Sequence, residues 1–390
     1  MTPTGDPPPM AQVAMVVTNA CAPDPRVERQ AAWLAESGHE VTVHAFDRNE
    51  AHPTTSEHAG WRVVRHHLGQ QASGVSIATL RGLRRFRASV QTALNSERPD
   101  LVVLHDADTL PLATALRRQG AKVVFDMHDL RHTWVRIGRP TSITRRMAAW
   151  WLARSTTRLL PKVDLCVTSS QRIRPGGAPG LASWLSDRGV RPVLLENRPL
   201  NAGRTSSVPS EGWRVACLGR VRDTSTASLL LDALASMAPE DRPAVRWAGD
   251  GVASEATAHL MRDGCAALGV DLDLRGAFRS EDLDDLHDGV NVAVALYDPA
   301  RGNIADGALP VRMFEAACRG VPTVVNDGVL MGEVAEALGL GFAVTWGHPD
   351  ALATAMLAAR AERVEPSAAV LPSEQRRAWA SAIEGLLTGS

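Results

Sequence analysis

Lysine is nearly missing from this 390-residue chain. Of its 42 basic residues only Lys122 and Lys162 are lysines, and the rest are arginine. That skew reads as the coding bias of a GC-rich genome, not as phosphate chemistry. The formal net charge is −1 and no strongly basic block stands out, which gives a nucleic-acid partner little support. Cysteine is sparse and scattered: Cys21, Cys166, Cys217, Cys265 and Cys318 are far apart and odd in number. They make neither a zinc spacing nor a disulfide framework, as fits a reducing cytosol. No segment reaches the ~18 apolar residues of a membrane span. The start, MTPTGDPPPM, lacks the charged-then-apolar run of a secretory signal. No Gly-x-Gly-x-x-Gly follows the first strand of either half, which weakens a nicotinamide-dependent dehydrogenase. What is left is a soluble, cytoplasmic globular protein, 45% hydrophobic and 22% charged, long enough for two domains.

After a Pro-rich start expected to be disordered, QVAMVVT (12–18) is a near-continuous apolar run, as a strand buried on both faces requires. The loop NACAPDP follows, then an amphipathic helix over 26–37 with Val27, Ala31 and Leu34 on one side, closed by Gly38 before a strand at 41–46. The same strand–helix beat continues through strands at 62–66, 101–104, 122–125, 165–168 and 193–195, with helices at 77–95 and 110–118. This predicts a doubly wound parallel sheet. The loops after strands carry the chemistry in such a sheet. Here they hold Asn19, Asp24 and Arg26, then His105, Asp106 and Asp108, then Asp126, His128 and Asp129. For Asp108, before TLPLATAL, a helix cap is the expected role. The two histidines have a plain structural alternative as satisfied buried residues.

Trp150 and Trp151 sit among Arg145, Arg146, Arg154 and Arg158. A basic, Trp-bearing helix can lie on anionic lipid. A helix packing its tryptophans against the sheet gives the same sequence and is the favoured reading. A third option makes Trp134, Trp150 or Trp151 a stacking platform for an acceptor.

Composition shifts at NRPLNAGRTSSVPSEG (197–212), a linker. The expected division is 1–196, 197–374 and a C-terminal helix within 375–390. The second half repeats the beat with strands at 213–218, 244–248, 271–275 and 290–296 and a helix at 228–237. The stretch GNIADGALPVRMFEAACRGVPTVV (302–325) then reads as a polar loop ending in Pro310, a short helix through Arg312, Phe314 and Glu315, a stop at Gly320 and a buried strand. Its helix start would offer N–H groups and a positive dipole end to phosphate, and Glu315 would accept hydrogen bonds from ribose hydroxyls.

This stretch resembles the nucleotide-sugar signature of family 4 retaining glycosyltransferases. Their Pro-x-Lys/Arg-x-Phe-Glu, then Gly-x-Pro, is filled by Pro310, Arg312, Phe314, Glu315, Gly320 and Pro322. DPRVERQAAWLAESGHEVTV, HDADTLP and DMHDL resemble the same family, and the resemblance runs from Val13 to about Leu387. It implies the GT-B fold, two Rossmann-like α/β domains facing a central cleft, the C-terminal helix crossing back to the first. It implies that the first-domain loops, with Asn19, Asp24, Arg26, His105, Asp106 and Asp129, line the acceptor side, and that His128 reaches the transferred sugar. For the donor it implies Gly219-Arg220 at the first phosphate-gripping position, with Arg220 steadying the leaving diphosphate. Gly249 would add a minor phosphate contact, and Phe278 and Arg279 the base-binding edge. Two positions depart from the pattern. The usual lysine five residues after Arg220 is Ser225, so Arg222 or Arg312 would supply charge. The usual glutamate eight before Glu315 is Gly307, so backbone N–H groups near Gly302–Leu309, with Asn303 and Leu309 among the donor-binding residues, would hold the sugar. Glu333 resembles a second helix-start acid, or is a first-turn charge and nothing more.

The expectation is thus a retaining enzyme moving a hexose-like sugar from a UDP- or GDP-sugar to a small acceptor, such as an aminocyclitol or small thiol. It needs no cofactor and no metal; His105, Asp106, Asp126 and Asp129 are a poor metal set because GT-B enzymes generally need none. The rivals are a nucleotide-sugar 2-epimerase of the same fold, a non-catalytic nucleotide-sugar binding protein, and a peripheral membrane enzyme acting on a lipid acceptor. Contact with a membrane surface is the less favoured reading, and oligomeric state is left open.

Overall fold

The structure, a computed structural model, describes residues 10–70, 76–136, 141–199, 202–207, 211–299, 302–365, 371 and 373–389. The Pro-rich start up to residue 9 and positions 200–201 and 208–210 of the expected linker lie outside the described residues. The chain divides into two compact units, one of residues 1–170, 181–196 and 374–390, the other of 171–180 and 197–373. The departure from one break near residue 197 is the excursion 171–180. It joins the second unit because the Ala178 amide and the Arg174 guanidinium both donate to Glu333, at 2.9 and 3.0 Å.

In the first unit the elements run β1 (Gln12–Val17), α1 (Pro25–Glu36), β2 (Glu40–Ala45), β3 (Thr55–His58), β4 (Trp61–Arg65), α2 (Ile77–Glu97) and β5 (Leu101–His105). They continue with α3 (Ala113–Arg118), β6 (Lys122–Met127), α4 (Arg131–Trp134), α5 (Ile143–Leu159), β7 (Leu165–Thr168), α6 (Leu181–Ser186) and β8 (Val193–Leu194). The sheet order is β3-β4-β2-β1-β5-β6-β7-β8, parallel except for the antiparallel β3–β4 pair. The apolar run of β1 is explained by its two faces. Ala14 and Val16 pack with α2 residues Leu83, Phe86 and Val90, while Val13, Met15 and Val17 pack with Val27, Ala31 and Leu34 of α1. The C-terminal helix closes the α1 side with Trp379 and Ile383. Asp24 caps α1 by accepting from the Val27 amide at 3.2 Å, with Pro25 at the first helical position. Helix α5 departs from expectation: Trp150 and Trp151 are 64% and 60% exposed, because its buried side is the small Ala149 instead.

The second unit runs β9 (Arg214–Leu218), α7 (Ser225–Ser236), β10 (Ala244–Ala248), α8 (Ser254–Leu268), β11 (Leu272–Arg275), α9 (Leu283–His287) and β12 (Val292–Ala295). Then come α10 (Gly302–Ala305), α11 (Val311–Ala317), β13 (Thr323–Asn326), α12 (Leu330–Ala337), β14 (Gly341–Val344) and α13 (Pro349–Ala359); α14 (Ser373–Thr388) returns to the first unit. The second sheet, β11-β10-β9-β12-β13-β14, is parallel throughout. Helices α7, α8 and α13 cover one side of it, while α11 and α12 pack with Val325 and Leu340. Helix α11 ends as its sequence says: Gly320, at φ +75°, lets the Val321 amide reach back to the Ala316 carbonyl at 3.0 Å.

Candidate active site

In the second unit the chemistry gathers where β9 ends. Gly219, at φ +116°, turns the chain out of the strand while its amide bonds the Ala248 carbonyl at 2.9 Å. The Val221 amide bonds the Asp250 carbonyl at 2.7 Å. Behind this loop a Cβ on Gly249 would stand 1.8 Å from the Gly219 carbonyl oxygen, and one on Gly251 would stand 2.0 Å from that of Val221. Glycine at both places lets the two loops lie against each other, so Gly249 supports the loop from behind. In front opens a pocket lined by Gly219, Arg220, Arg222, Asp223, Tyr297 and Arg312, among others.

Arg220 is exposed and makes no hydrogen bond or ion pair among the described residues. Arg312, half-buried on α11, sits with its guanidinium 5.2 Å over the Tyr297 ring. A Cβ on Gly219 would come within 2.6 Å of its Nη2, so Arg312 lies along the floor of the loop. Ser225, the position of the family's usual lysine, is not among the residues that line this pocket. It is the first residue of α7, which begins three residues earlier than its pattern suggests, and both its amide and its hydroxyl donate to the Asp223 carboxylate.

Pro310 stands at the N-cap of α11, a helix of seven residues. Met313 and Phe314 are buried, and Arg198 lies 3.9 Å over the Phe314 ring. Glu315 is half-buried, and no hydrogen bond reaches its carboxylate among the described residues. Loss of water pushes its pKa up, against the pull of Arg319 and Arg312. Arg319 is spent elsewhere, donating to the Glu315 carbonyl at 2.9 Å and to Asp284 at 2.8 Å. Leu309 is buried in the core beside Ile304 and Phe314. Asn303 lies in α10, its carbonyl accepting from the Ala308 amide at 2.9 Å. Phe278 packs half-buried beside Ala216 and Leu218, and Arg279 is exposed at a turn where its amide bonds Asp282 at 2.7 Å.

In the first unit, the ends of β5 and β6 carry a buried charged cluster. Arg26 grips Asp126 with Nε at 2.8 Å and Nη2 at 2.6 Å, Gln30 adds a bond at 2.6 Å, and Arg26 Nη1 donates to the Leu195 carbonyl at 2.6 Å. Burial alone would raise the Asp126 pKa, but Arg26 and His105 hold it well below the usual carboxylate range. His105 is fully buried, its Nδ1 3.2 Å from Asp126, and neither ring nitrogen makes a well-aligned hydrogen bond among the described residues. His128 Nε2 lies 3.2 Å from Asp106. Burial opposes its charge, yet Asp106 lifts its pKa to about 9, and His128 in turn holds Asp106 low. His128 Nδ1 is buried without a hydrogen-bond partner among the described residues.

Asn19 and Asp24 are bonded to each other at 2.7 Å while Asp24 caps α1, and Asp129 is half-buried beside His128. Asp108 does not cap the turn that follows: its carboxylate pairs with Arg131, because that turn starts at Thr109 with no side-chain cap. His105, Asp126 and His128 could each offer one ligand atom within 4.8 Å of the others. The chemistry disfavours a cation there, since both Asp126 oxygens are occupied by Arg26 and Gln30 and a guanidinium adjoins them.

Sequence reasoning brought Gly219, Arg220, Arg222 and Arg312 to one pocket; it missed Asp223 and Tyr297, which line it too. A signal for Tyr297 existed: it is the only tyrosine in the chain, and it follows the apolar run of β12.

Residues 22–175 match the family model described as a glycosyl transferase 4-like domain. No curated protein sequence matches the chain. Among solved structures, sucrose-phosphate synthase from Thermosynechococcus elongatus superposes with a TM-score of 0.70 at 15% identity, covering 97% of each chain. The E. coli trehalose-6-phosphate structure bound with UDP-2-fluoro glucose gives 0.67 at 12% identity, covering 97% of this chain and 99% of that one. Anabaena HepE in complex with UDP gives 0.61 at 15% identity, covering 96% and 95%. At such identities the likeness is one of fold. The fold is GT-B, as the sequence resemblance implied.

Proposed function

We propose that the protein is a retaining glycosyltransferase that moves a hexose-like sugar from a UDP- or GDP-sugar to a small acceptor. The observation that carries the reading is the pocket after β9, where Arg220, unpaired among the described residues, stands beside Arg222 and Arg312. Arg312 joins that pocket electrostatically to Glu315, a half-buried carboxylate with no hydrogen bond among the described residues. A diphosphate meets the first need and a ribose diol the second. The UDP and UDP-2-fluoro glucose in structures of this fold support a nucleotide sugar as donor.

The chemistry assigned is front-face displacement. The acceptor nucleophile bonds to the sugar C1, the C1–O bond to the β-phosphate breaks, and the acceptor proton passes to the departing phosphate oxygen. Charge builds on that oxygen, and a guanidinium with no partner among the described residues stabilises it without reorganisation. Arg220 is given this role, with Arg222 and Arg312 supplying the charge that Ser225 does not. His128, protonated beside Asp106 and with Nδ1 unpartnered among the described residues, is given the role of donor to a substrate hydroxyl. Neither a metal nor a cofactor is assigned a part.

The test is a thermal-shift panel of UDP-, GDP- and dTDP-sugars on the protein and on Glu315→Ala. A true donor at about ten times its Kd adds about 1.4 kcal/mol, and Glu315→Ala should need roughly tenfold more ligand for the same shift. A panel in which no activated sugar stabilises the protein refutes the reading.

A further inference from the structure

On the first unit, helix α5 presents its apolar stripe to solvent. Ile143, Met147, Trp150 and Trp151 recur at helical spacing on one side and are 74%, 66%, 64% and 60% exposed. Arg154 and Arg158 continue that stripe, Arg146 flanks it, and all three are exposed. Arg154 lies 5.6 Å over the Trp150 ring. The helix, ITRRMAAWWLARSTTRL, contains no acid.

Helix α2 lies on the same side of the sheet, since its Leu83, Phe86 and Val90 share one core with Leu159 and Leu160 at the end of α5. It too begins with exposed apolar residues, Ile77 at 71% and Leu80 at 50%, followed by the exposed Arg81, Arg84 and Arg85. Its one acid is the terminal Glu97. In a chain of net charge −1, this side therefore holds a local excess of arginine around solvent-facing tryptophan.

We propose that this side of the first unit docks on an anionic lipid surface. Tryptophan prefers the headgroup layer, where its ring is half-immersed and its N–H stays wet. The arginine stems can cover apolar surface while their heads reach lipid phosphate. A second copy of the chain fits less well: a two-fold contact through this face would set Arg146, Arg154 and Arg158 against their own copies. The inference concerns where the protein sits and is independent of the donor assignment.

The experiment is vesicle flotation of the full chain with phosphatidylcholine alone and with about one third phosphatidylglycerol, paired with light scattering for oligomeric state. Binding to the anionic vesicles should exceed that to neutral ones by about tenfold or more, and should fall as salt is raised. Trp150→Ser/Trp151→Ser and, separately, Arg154→Gln/Arg158→Gln should each lower it about tenfold with no change in stabilisation by a nucleotide sugar. Equal binding to both vesicle types, no binding at all, or unchanged binding by the arginine variant overturns the proposal. So does a wild-type dimer that the tryptophan variant dissolves. None of these outcomes bears on donor recognition, which the thermal-shift panel reads separately.

Discussion

Gly307 meets Pro179 so closely that no side chain fits between them. A Cβ on Gly307 would stand 2.0 Å from the Pro179 carbonyl oxygen and 2.7 Å from the Gly180 Cα, at a φ of +95°. Residues 171–180 thus fill the space that a glutamate at this position would need. The excursion is pinned at its middle by Glu333, which accepts from the Ala178 amide and from Arg174 and is held below the usual carboxylate range by those bonds. Glu333 is therefore a structural anchor within the second unit. The missing acid and the excursion are one arrangement.

Gly307→Ala should accordingly cost about 2 kcal/mol or more, the sum of a left-handed backbone and an overlap with main chain. Gly307→Glu, which restores the usual acid, should cost more still. Denaturant unfolding measures both. A Gly307→Glu protein within about 0.5 kcal/mol of wild type would contradict the packing described.

The Arg26–Asp126 pair makes a prediction about acid stability. Asp126 is held far below its unfolded value, so its contribution is complete above roughly pH 4 and disappears as pH falls further, towards the folded pKa. Asp126→Asn should flatten the acid limb of the stability curve. Arg26→Ala should cost about 3–5 kcal/mol at neutral pH by leaving a buried carboxylate unpaired. Loss of stability on acidification that is identical in wild type and Asp126→Asn would show the pair to be uninvolved.

His128 titrates in the opposite sense. Its pKa is raised to about 9, so the stability it lends is complete below about pH 6.5 and is lost as pH rises through about 9. NMR of the imidazole protons should show His128 still charged at pH 7.5 in the wild type. In Asp106→Asn it should be largely neutral at that pH, since burial then acts without its counter-ion. An unshifted midpoint would remove Asp106 as the cause.

Much of this was written plainly in the sequence, for a physical reason. Strands buried on both faces, such as QVAMVV in β1 and LVVLH in β5, cannot be anything but apolar runs, and they mark out the βαβ order. Strand β3 was illegible because TSEH is a polar edge that pairs only with β4. Strand β14 was hidden by Gly341, whose place beside the Thr323 carbonyl, 2.0 Å from a would-be Cβ, is known only once the sheet is assembled. Helix α13, PDALATAMLAA, carries too few polar residues to show an amphipathic period. At the site, the arginines after β9 and on α11 were legible from local pattern. The Arg26–Asp126 grip was not, because it joins residues a hundred positions apart. Nor was the Ser225–Asp223 bond at the first residue of α7.

The most direct test of the account is Arg220→Ala, followed by donor affinity and by release of nucleotide from the sugar donor. Arg220 is exposed, so the fold should be unaffected. Nucleotide release should fall about 100-fold or more while the donor Kd changes only a few-fold, as expected of a group that acts on charge developing in the transition state. Release at the wild-type rate would contradict the claim that this guanidinium stabilises the departing diphosphate.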